Sequence, residues 1–409
     1  MKIWVKYLVG CILGIILAYL LPLETLQASK LLAFFTELSL RIGRYALLPL
    51  IFFGVAVAVY NLRDTKRLSK ITFVSLLIIL CSTILYTVIG LISVLIVKLP
   101  RIPISVDRVS QNVSLQIPES ILRLFPWSGF SSLAEGAFLL PAIVFAFFAG
   151  IGCASDKIAS KQAVSVLDSI SKVCYTVLGY FVELLSVGLV ATSCTLLIRF
   201  RDLFATGIYN GLILLLAVDF IIITVFIYPL ILKVICKEPH PYKVLYSAVA
   251  PILASFFTGD SNITLATAMK HSKESLGLKG RANNYILPLF SVFSRGGSAL
   301  TTAISFVIIL RSYSSLSIAF SDILWIGVIV VACSFFLGAF PTGGMYTCLT
   351  VICMLYGRGF EAGYLLLKPV VPIICAFACA IDAVTMMLGS YIVANKLKLT
   401  EMREIKYFA

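Results

Sequence analysis

Long apolar runs are the feature of this sequence that most limits what it can fold into. Several stretches exceed the roughly 18 to 20 apolar residues that a helix needs to cross a hydrocarbon core about 30 Å thick. Leu, Ile, Val and Phe dominate them, as in residues 71–97, without the two-residue alternation of an outer-membrane β-barrel. With 60% hydrophobic residues, 13% charged residues and a mean hydropathy of +1.03, the chain is too apolar for a soluble protein. We therefore predict an all-α, polytopic membrane protein.

The positive charge of the chain predicts its orientation. A net charge of +14 would fit a nucleic-acid-binding protein, but the Lys and Arg residues lie in short connections between apolar runs and not on one soluble face. We expect no nucleic-acid partner and membrane lipid around the spans. By the positive-inside rule, the basic connections and both termini are cytoplasmic, in a multi-pass protein of the cytoplasmic (inner) membrane. Two lysines precede the first run, but no small-residue cleavage site follows at a suitable distance, so we predict an uncleaved first span.

The apolar runs form six predicted spans and then a C-terminal half with interrupted segments. The six spans are predicted at residues 4–21, 39–60, 71–97, 136–153, 173–198 and 207–236. The interruptions are TGDSNIT (258–264), SRGGS (294–298) and GAFPTGG (338–344). Backbone freed from a helix at membrane depth is tolerated where protein buries it or where it lines a watery cavity. Paired interrupted segments of this kind are typical of the binding site of a transporter.

The C-terminal half is predicted to contain two re-entrant helical hairpins and two further spans. The first hairpin (residues 248–275) enters from the cytoplasm, and the second (325–356) enters from outside. A broken seventh span (284–310) lies between them, and an eighth (364–395) follows. The predicted fold therefore has eight transmembrane helices plus two re-entrant hairpins of opposite orientation.

The motifs in this order resemble the dicarboxylate/amino acid:cation symporter family, the glutamate transporter homologues. TGDSNITLATAMKHSKE is similar, without gaps, to that family's serine-rich hairpin tip followed by Thr-Leu and a Met-x-x-Ala-Lys-Glu run, with Ser272 in place of the Ala. YILPLFSVFSRGGSAL stands where the family has Leu-Pro-Leu and then Asn-Met-Asp-Gly-Thr-Ala. Three further stretches extend the resemblance over nearly the whole chain: LRIGRYALLPLIFFGVAV, LFPWSGFSSLAEGAFLLPAIVFAFFAGIG and AFPTGG, where the family has Val-Pro-Gly-Ala-Gly.

The resemblance implies a homotrimer of elevator-type transporters. Residues 1–70 (spans one and two) and 99–204 (spans four and five with an external loop) would form a fixed scaffold. Residues 71–98 (span three) and 205–409 would form a transport domain that moves as a rigid unit. The implied activity is symport of a small carboxylate or amino acid, with no enzyme activity and no cofactor beyond Na⁺ or H⁺ as coupling ion. A proton-coupled or uncoupled exchanger, and a non-transporting receptor or assembly protein, remain alternatives.

The resemblance also implies where substrate and sodium would bind. The family's eighth span supplies an amine-binding Asp, a carboxylate-binding Arg, an Asn and a sodium-binding Asp. The corresponding residues here are Cys375, Ala378, Asp382 and Met386. The family's Asn-Met-Asp-Gly-Thr in the seventh span becomes Ser294, Arg295, Gly296, Gly297 and Ser298. Both sodium-binding carboxylates are therefore missing, at Gly296 and Met386. Because Na⁺ is a hard cation that prefers oxygen ligands, the sequence argues against sodium at these positions and leaves open a site of backbone carbonyls near the second hairpin.

The charged candidates have more than one interpretation. Arg295 could hold a substrate carboxylate with two hydrogen bonds, or it could pair permanently with Asp260 or Asp382. Asp260 could bind an amine, carry a proton, pair with Arg295 or cap a helix, and Asp382 is a candidate proton carrier. The predicted substrate-binding residues are Asp260, Ser261, Asn262, Thr264, Arg295, Ser298, Pro341, Thr342, Gly343, Gly344, Cys375, Ala378 and Asp382. The predicted coupling residues are Ser294, Asp382 and Asp260, and no metal site is assigned with certainty.

The other ionisable residues and the cysteines are expected to be structural. Asp219 and Glu183 should be hydrogen-bonded inside the protein, because a buried carboxyl is most stable when it is neutral or paired. His240 and His271 are expected to be solvated, in or near cytoplasmic connections. The 11 cysteines show no zinc or redox spacing, so we expect them to serve as small apolar side chains.

Overall fold

The computed structural model describes residues 2–20, 26–97, 99–103, 122, 125–134, 138–313, 319–337, 344–357 and 359–401. Throughout these ranges the chain is helical apart from turns and short irregular connections. Pairing between extended segments in them is confined to an isolated bridge between Leu278 and Thr400. The all-α prediction is therefore confirmed for the described residues.

The helices follow the chain in this order. They are α1 (Ile3–Leu20), α2 (Leu26–Arg44), α3 (Leu47–Asp64), α4 (Leu68–Ile96), α5 (Leu139–Ser155), α6 (Lys157–Thr206), α7 (Asn210–Ile221), α8 (Tyr228–Ile235), α9 (Pro241–Tyr246), α10 (Val249–Thr258), α11 (Ser261–Glu274), α12 (Gly280–Phe293), α13 (Gly296–Tyr313), α14 (Phe320–Leu337), α15 (Met345–Tyr356) and α16 (Val371–Lys396). A π-helical segment, Ile222–Ile227, joins α7 to α8, and short 3₁₀ helices occur at Ser131–Leu133 and Gly363–Leu367.

Eight helical segments among the described residues are long and apolar enough to cross a membrane. They are Ile3–Leu20, Ser29–Asp64, Leu68–Ile96, Lys157–Thr206, Asn210–Ile235, Gly280–Tyr313, Phe320–Leu337 and Val371–Lys396. The count agrees with the eight predicted transmembrane helices, but the segments that make up the eight are not the same ones. Helix α5, in the predicted fourth span, has 17 residues, whereas α14, predicted as one arm of the second hairpin, has 18. Length alone does not separate a full span from a hairpin arm.

Two predicted spans are longer in the structure than in the sequence analysis. The second span extends over α2 and α3, which are separated only by a turn at Tyr45 and Ala46. Helix α6 has 50 residues, which corresponds to roughly 75 Å at 1.5 Å per residue. The Asp156 carboxylate caps α6 by accepting hydrogen bonds from the Ile158 and Ala159 amides at 3.1 and 3.0 Å. No Gly or Pro lies between residues 157 and 178, so the helix begins well before its apolar part.

The helices pack in two sets that together form one continuous core. In the first set, α1 and α2 lie along α6, and α3 packs against α5. Close approach of α1 to α6 depends on small residues, since a Cβ on Gly10 would lie 2.3 Å from the carbonyl oxygen of Ser186. In the second set, α4 lies along α13, and α16 packs against α10, α11, α12 and α13.

The chain breaks its helices at two of the predicted interruptions. Helices α10 and α11 pack against each other and are joined by Gly259, with φ +63°, and Asp260; this pair is called the first hairpin below. Helix α12 ends at Phe293 and α13 begins at Gly296, which leaves Ser294 and Arg295 outside both helices. The third predicted interruption, at residues 338–343, lies outside the described residues.

Candidate functional site

Residues from three distant segments of the chain line one cavity, called the Arg295 cavity below. Ser261 and Thr264 come from the start of α11, Ser294 and Arg295 from the break between α12 and α13, and Asp382 from the middle of α16. The cavity is small, with a volume of about 10 Å³, close to what one water molecule needs. Its wall is completed by Phe290, Ser291, Cys379, Ala383 and Met386. The two helix breaks therefore meet at α16.

Asp382 connects α16 to the first turn of α13. The Gly297 amide donates a hydrogen bond to Oδ1 at 2.7 Å, and the Ser298 hydroxyl donates to Oδ2 at 3.3 Å. The residue is only 6% exposed. A carboxylate at the N-terminus of a helix is also stabilised by the helix dipole. Asp382 therefore helps to hold the broken segment in place, and Ser298 is its partner in this arrangement.

Arg295 keeps hydrogen-bonding capacity that the described part of the chain does not use. Its Nη2 donates to the Ser261 hydroxyl at 3.1 Å. Its Nε is buried and has no partner among the described residues, and the same holds for the Ser294 hydroxyl. Leaving a buried polar group without a partner costs roughly 1–3 kcal/mol. These two groups are therefore available to a polar ligand once the cavity widens to admit one.

Asp260 pairs with an arginine that the sequence analysis did not single out. Nε of Arg44, the last residue of α2, donates to Asp260 Oδ2, and the two side chains form an ion pair. The other oxygen, Oδ1, caps α11 by accepting from the Asn262 amide at 2.8 Å. Among the described residues no ion pair joins Arg295 to Asp260 or Asp382. In this structure Asp260 therefore caps α11 and pairs with Arg44, and the pairing considered for Arg295 is not seen among the described residues.

A signal for Arg44 was present in the sequence. It lies in LRIGRYALLPL, inside the predicted second span. An ionisable residue within a membrane span is a functional candidate by default. The partner could not be read from the sequence, because Arg44 and Asp260 are 216 positions apart.

Comparison with known proteins agrees with this architecture. The sequence profile of the sodium:dicarboxylate symporter family matches residues 3–396. The chain belongs to this family. Over 198 residues it is 22% identical to a protein named C4-dicarboxylate transport protein from Laribacter hongkongensis (strain HLHK9). This match covers 46% of the chain and 44% of that protein, so it spans less than half the length of this curated relative.

Membership of the sodium:dicarboxylate symporter family confirms three predictions. The resemblance found in the sequence is correct, the chain is a multi-pass membrane protein of a transporter family, and it is not an enzyme.

In this member of the sodium:dicarboxylate symporter family, apolar packing occupies the two positions at which the sequence lacks the expected sodium-binding carboxylates. A Cβ on Gly296 would lie 2.3 Å from Cδ2 of Tyr86, whose side chain is 1% exposed. Any side chain at position 296 would therefore require Tyr86 to move. At the second position, Met386 is 3% exposed and contributes to the wall of the Arg295 cavity.

The remaining predicted site residues lie apart from the Arg295 cavity or outside the described residues. Cys375 lines a different cavity of about 260 Å³, together with Thr258 and Gly259. Ala378 packs against Gly297, because a Cβ there would lie 2.2 Å from the Ala378 carbonyl oxygen. Gly344 precedes α15 with φ +93°. Pro341, Thr342 and Gly343 lie outside the described residues.

The other ionisable residues give a mixed result. Asp219 is buried and accepts a hydrogen bond from Ser93 at 2.8 Å, as expected. Glu183 is paired with Lys6 and Lys270, but its side chain is 48% exposed, so it is not a buried carboxyl. The expectation of a solvated His271 is wrong: it is 6% exposed, because α11 packs against α2, α12 and α16. His240 is exposed, as expected.

Proposed function

We propose that this chain is a secondary active transporter that moves a small carboxylate or amino acid across the cytoplasmic membrane by an elevator-type movement. The observation that carries the proposal is the unused hydrogen-bonding capacity of Arg295 and Ser294 inside the Arg295 cavity. A guanidinium is planar and binds a carboxylate through two parallel hydrogen bonds. Family membership and the name of the Laribacter relative support a carboxylate-containing substrate.

The charges around the cavity favour a substrate with one carboxylate. Among the described residues that line it, Arg295 is the one cation and Asp382 the one carboxylate, while the charge of Asp260 is met by Arg44. A dicarboxylate would need a second cation, and residues 338–343 contain no Lys or Arg. We therefore propose a monocarboxylate or a zwitterionic amino acid, with the carboxylate at Arg295 and any amine towards Asp382.

Transport is proposed not to depend on sodium at the two positions that lack a carboxylate. The side chain of Tyr86 packs against Gly296, and Met386 is apolar. The fixed charge of Arg295 would stand near one of these positions, and Asp382 would be the proton carrier. Proton-coupled symport or uncoupled exchange is therefore the proposed mechanism. Backbone carbonyls near the second hairpin would be the remaining place for a sodium ion.

The domain division and the trimer are proposed on the family resemblance and on packing. The scaffold would contain α1, α2, α3, α5 and α6, and the transport domain would contain α4 and the helices from α7 onwards. Packing within each set supports this division. An apolar stripe on α6 supports assembly, because exposed hydrophobic residues recur at seven-residue intervals, as in helices that pack side by side. The stripe consists of Val166, Val173, Tyr180 and Val187.

An uptake screen in proteoliposomes tests the proposed function. The full chain would be reconstituted and supplied with radiolabelled L-alanine, lactate or succinate under an inward sodium gradient, an inward proton gradient or an internal pool of the same compound. We expect uptake of L-alanine or lactate above that of protein-free liposomes, with or without sodium. No flux of any probe under any condition would contradict the proposed function. Sodium-dependent accumulation would contradict the coupling proposal alone.

A further inference from the structure

The first hairpin is tied by ion pairs to helices of the proposed scaffold at two places. At its tip, Asp260 pairs with Arg44 of α2. Near its base, Lys270 of α11 pairs with Glu183 of α6 at 3.3 Å, and Glu183 also pairs with Lys6 of α1 at 3.1 Å. A movement that separates the hairpin from α2 and α6 would therefore break both contacts.

The contact at the tip is different from the one at the base because it lies next to the Arg295 cavity. The Asp260 side chain is 6% exposed, and the Arg44 side chain is 37% exposed. The residue that follows Asp260, Ser261, accepts the hydrogen bond from Arg295 and lines the cavity. A carboxylate in such a place repels a ligand carboxylate unless a cation neutralises it, since charges interact strongly where water is excluded. Arg44 supplies that cation.

We propose that the ion pair between Arg44 and Asp260 is a charge switch for carboxylate binding, in which Arg44 acts through Asp260. While Arg44 and Asp260 are in contact, the positive charge of Arg44 balances the negative charge of Asp260, and Arg295 attracts the carboxylate of the substrate. When the hairpin moves away from α2, the negative charge of Asp260 acts on the same cavity and weakens carboxylate binding. The switch thus favours release of the substrate in the state in which the pair is open. This inference rests on the proposed function.

Binding measurements on the purified full chain test the switch. Affinities for L-alanine and lactate would be measured by isothermal titration for the wild type, Arg44→Gln, Arg44→Lys and the double variant Arg44→Gln/Asp260→Asn. We expect Arg44→Gln to weaken binding at least about tenfold, which corresponds to about 1.4 kcal/mol. Arg44→Lys keeps the charge and should retain most of the affinity. The double variant removes the uncompensated charge and should recover most of what Arg44→Gln loses.

Glu183→Gln is the matched control. It removes the ion pair at the base of the first hairpin and leaves the charges at the tip unchanged, so its affinity should stay within about threefold of the wild type, a change of less than 1 kcal/mol. Melting temperatures without ligand would verify that each variant is folded. If Arg44→Gln fails to fold, the comparison of Arg44→Lys with the double variant still tests the charge.

Three results would overturn the inference. The first is an affinity of Arg44→Gln equal to that of the wild type. The second is a double variant that binds as weakly as Arg44→Gln, which would mean that Arg44 acts through structure and not through charge. The third is an equal loss in Glu183→Gln, which would mean that loosening of the hairpin is sufficient. If folded wild-type protein binds neither probe, the proposed function itself is contradicted, and the switch is contradicted with it.

Discussion

At the scale of single residues, the two glycines of SRGGS determine which chemistry the broken segment can hold. Gly296 faces the ring of Tyr86 and Gly297 faces the carbonyl of Ala378, both at distances that leave no space for a Cβ. The sequence shows that a carboxylate is missing at position 296, but it cannot show that an aromatic ring packs there. Tyr86 therefore occupies the space that a carboxylate side chain at position 296 would need.

Gly296→Ala should destabilise the protein. The added methyl group would lie 2.3 Å from Tyr86, and overpacking of a core typically costs about 1–3 kcal/mol. Thermal unfolding of the purified protein in detergent measures the effect as a lower melting temperature. Gly152→Ala in α5 is the control, because a Cβ there has no neighbour within 4 Å. Equal stability of the two variants would show that Tyr86 does not restrict position 296.

At the scale of helices, the sequence was sufficient to locate the two breaks in the C-terminal half, but not the turn at Tyr45 and Ala46 or the helix ends. Gly, Asp, Ser and Asn in TGDSNIT and SRGGS interrupt otherwise apolar runs, and both breaks occur where these residues stand. Helix α6 was predicted to begin at residue 173, but it begins 16 residues earlier, at Lys157. Hydropathy detects the part of a helix that lies in the membrane and not the polar turns that extend beyond it. Contacts between helices, such as Arg44 with Asp260, need the tertiary structure because they join residues far apart in the chain.

Gly259→Ala should impair transport as well as stability. Gly259 joins the two helices of the first hairpin with φ +63°, a conformation that costs an L-residue roughly 1–2 kcal/mol. Gly207 ends α6 with φ +70°, and neither glycine has an atom within 4 Å of an added Cβ. Gly207→Ala is therefore matched for backbone strain. We expect similar losses of melting temperature in both variants and a loss of proteoliposome uptake in Gly259→Ala alone. Equal uptake by the two would contradict a role for the hairpin tip.

At the scale of the whole molecule, the exposed stripe on α6 predicts that copies of the chain associate. Light scattering of the protein in detergent should give three times the 44.7 kDa of one chain. Val173→Lys places a charge in the stripe and should shift the protein towards monomers, because a charge in an apolar interface must be desolvated. Val234→Lys on α8 changes an equally exposed residue outside the stripe and should leave the mass unchanged. A monomeric wild type, or a trimer that tolerates Val173→Lys, would contradict this assembly.

The central claim is that this chain transports a carboxylate held by Arg295, and it is tested most directly by uptake in matched variants. Arg295→Gln removes the charge and the two-pronged hydrogen bond, and charged hydrogen bonds contribute about 1.5–3 kcal/mol each, so L-alanine or lactate uptake at low concentration should fall at least about tenfold. Arg295→Lys keeps the charge without the fork and should be intermediate. Arg281→Gln, at an exposed arginine of α12, should behave like the wild type. Uptake by Arg295→Gln equal to that of the wild type would contradict the account.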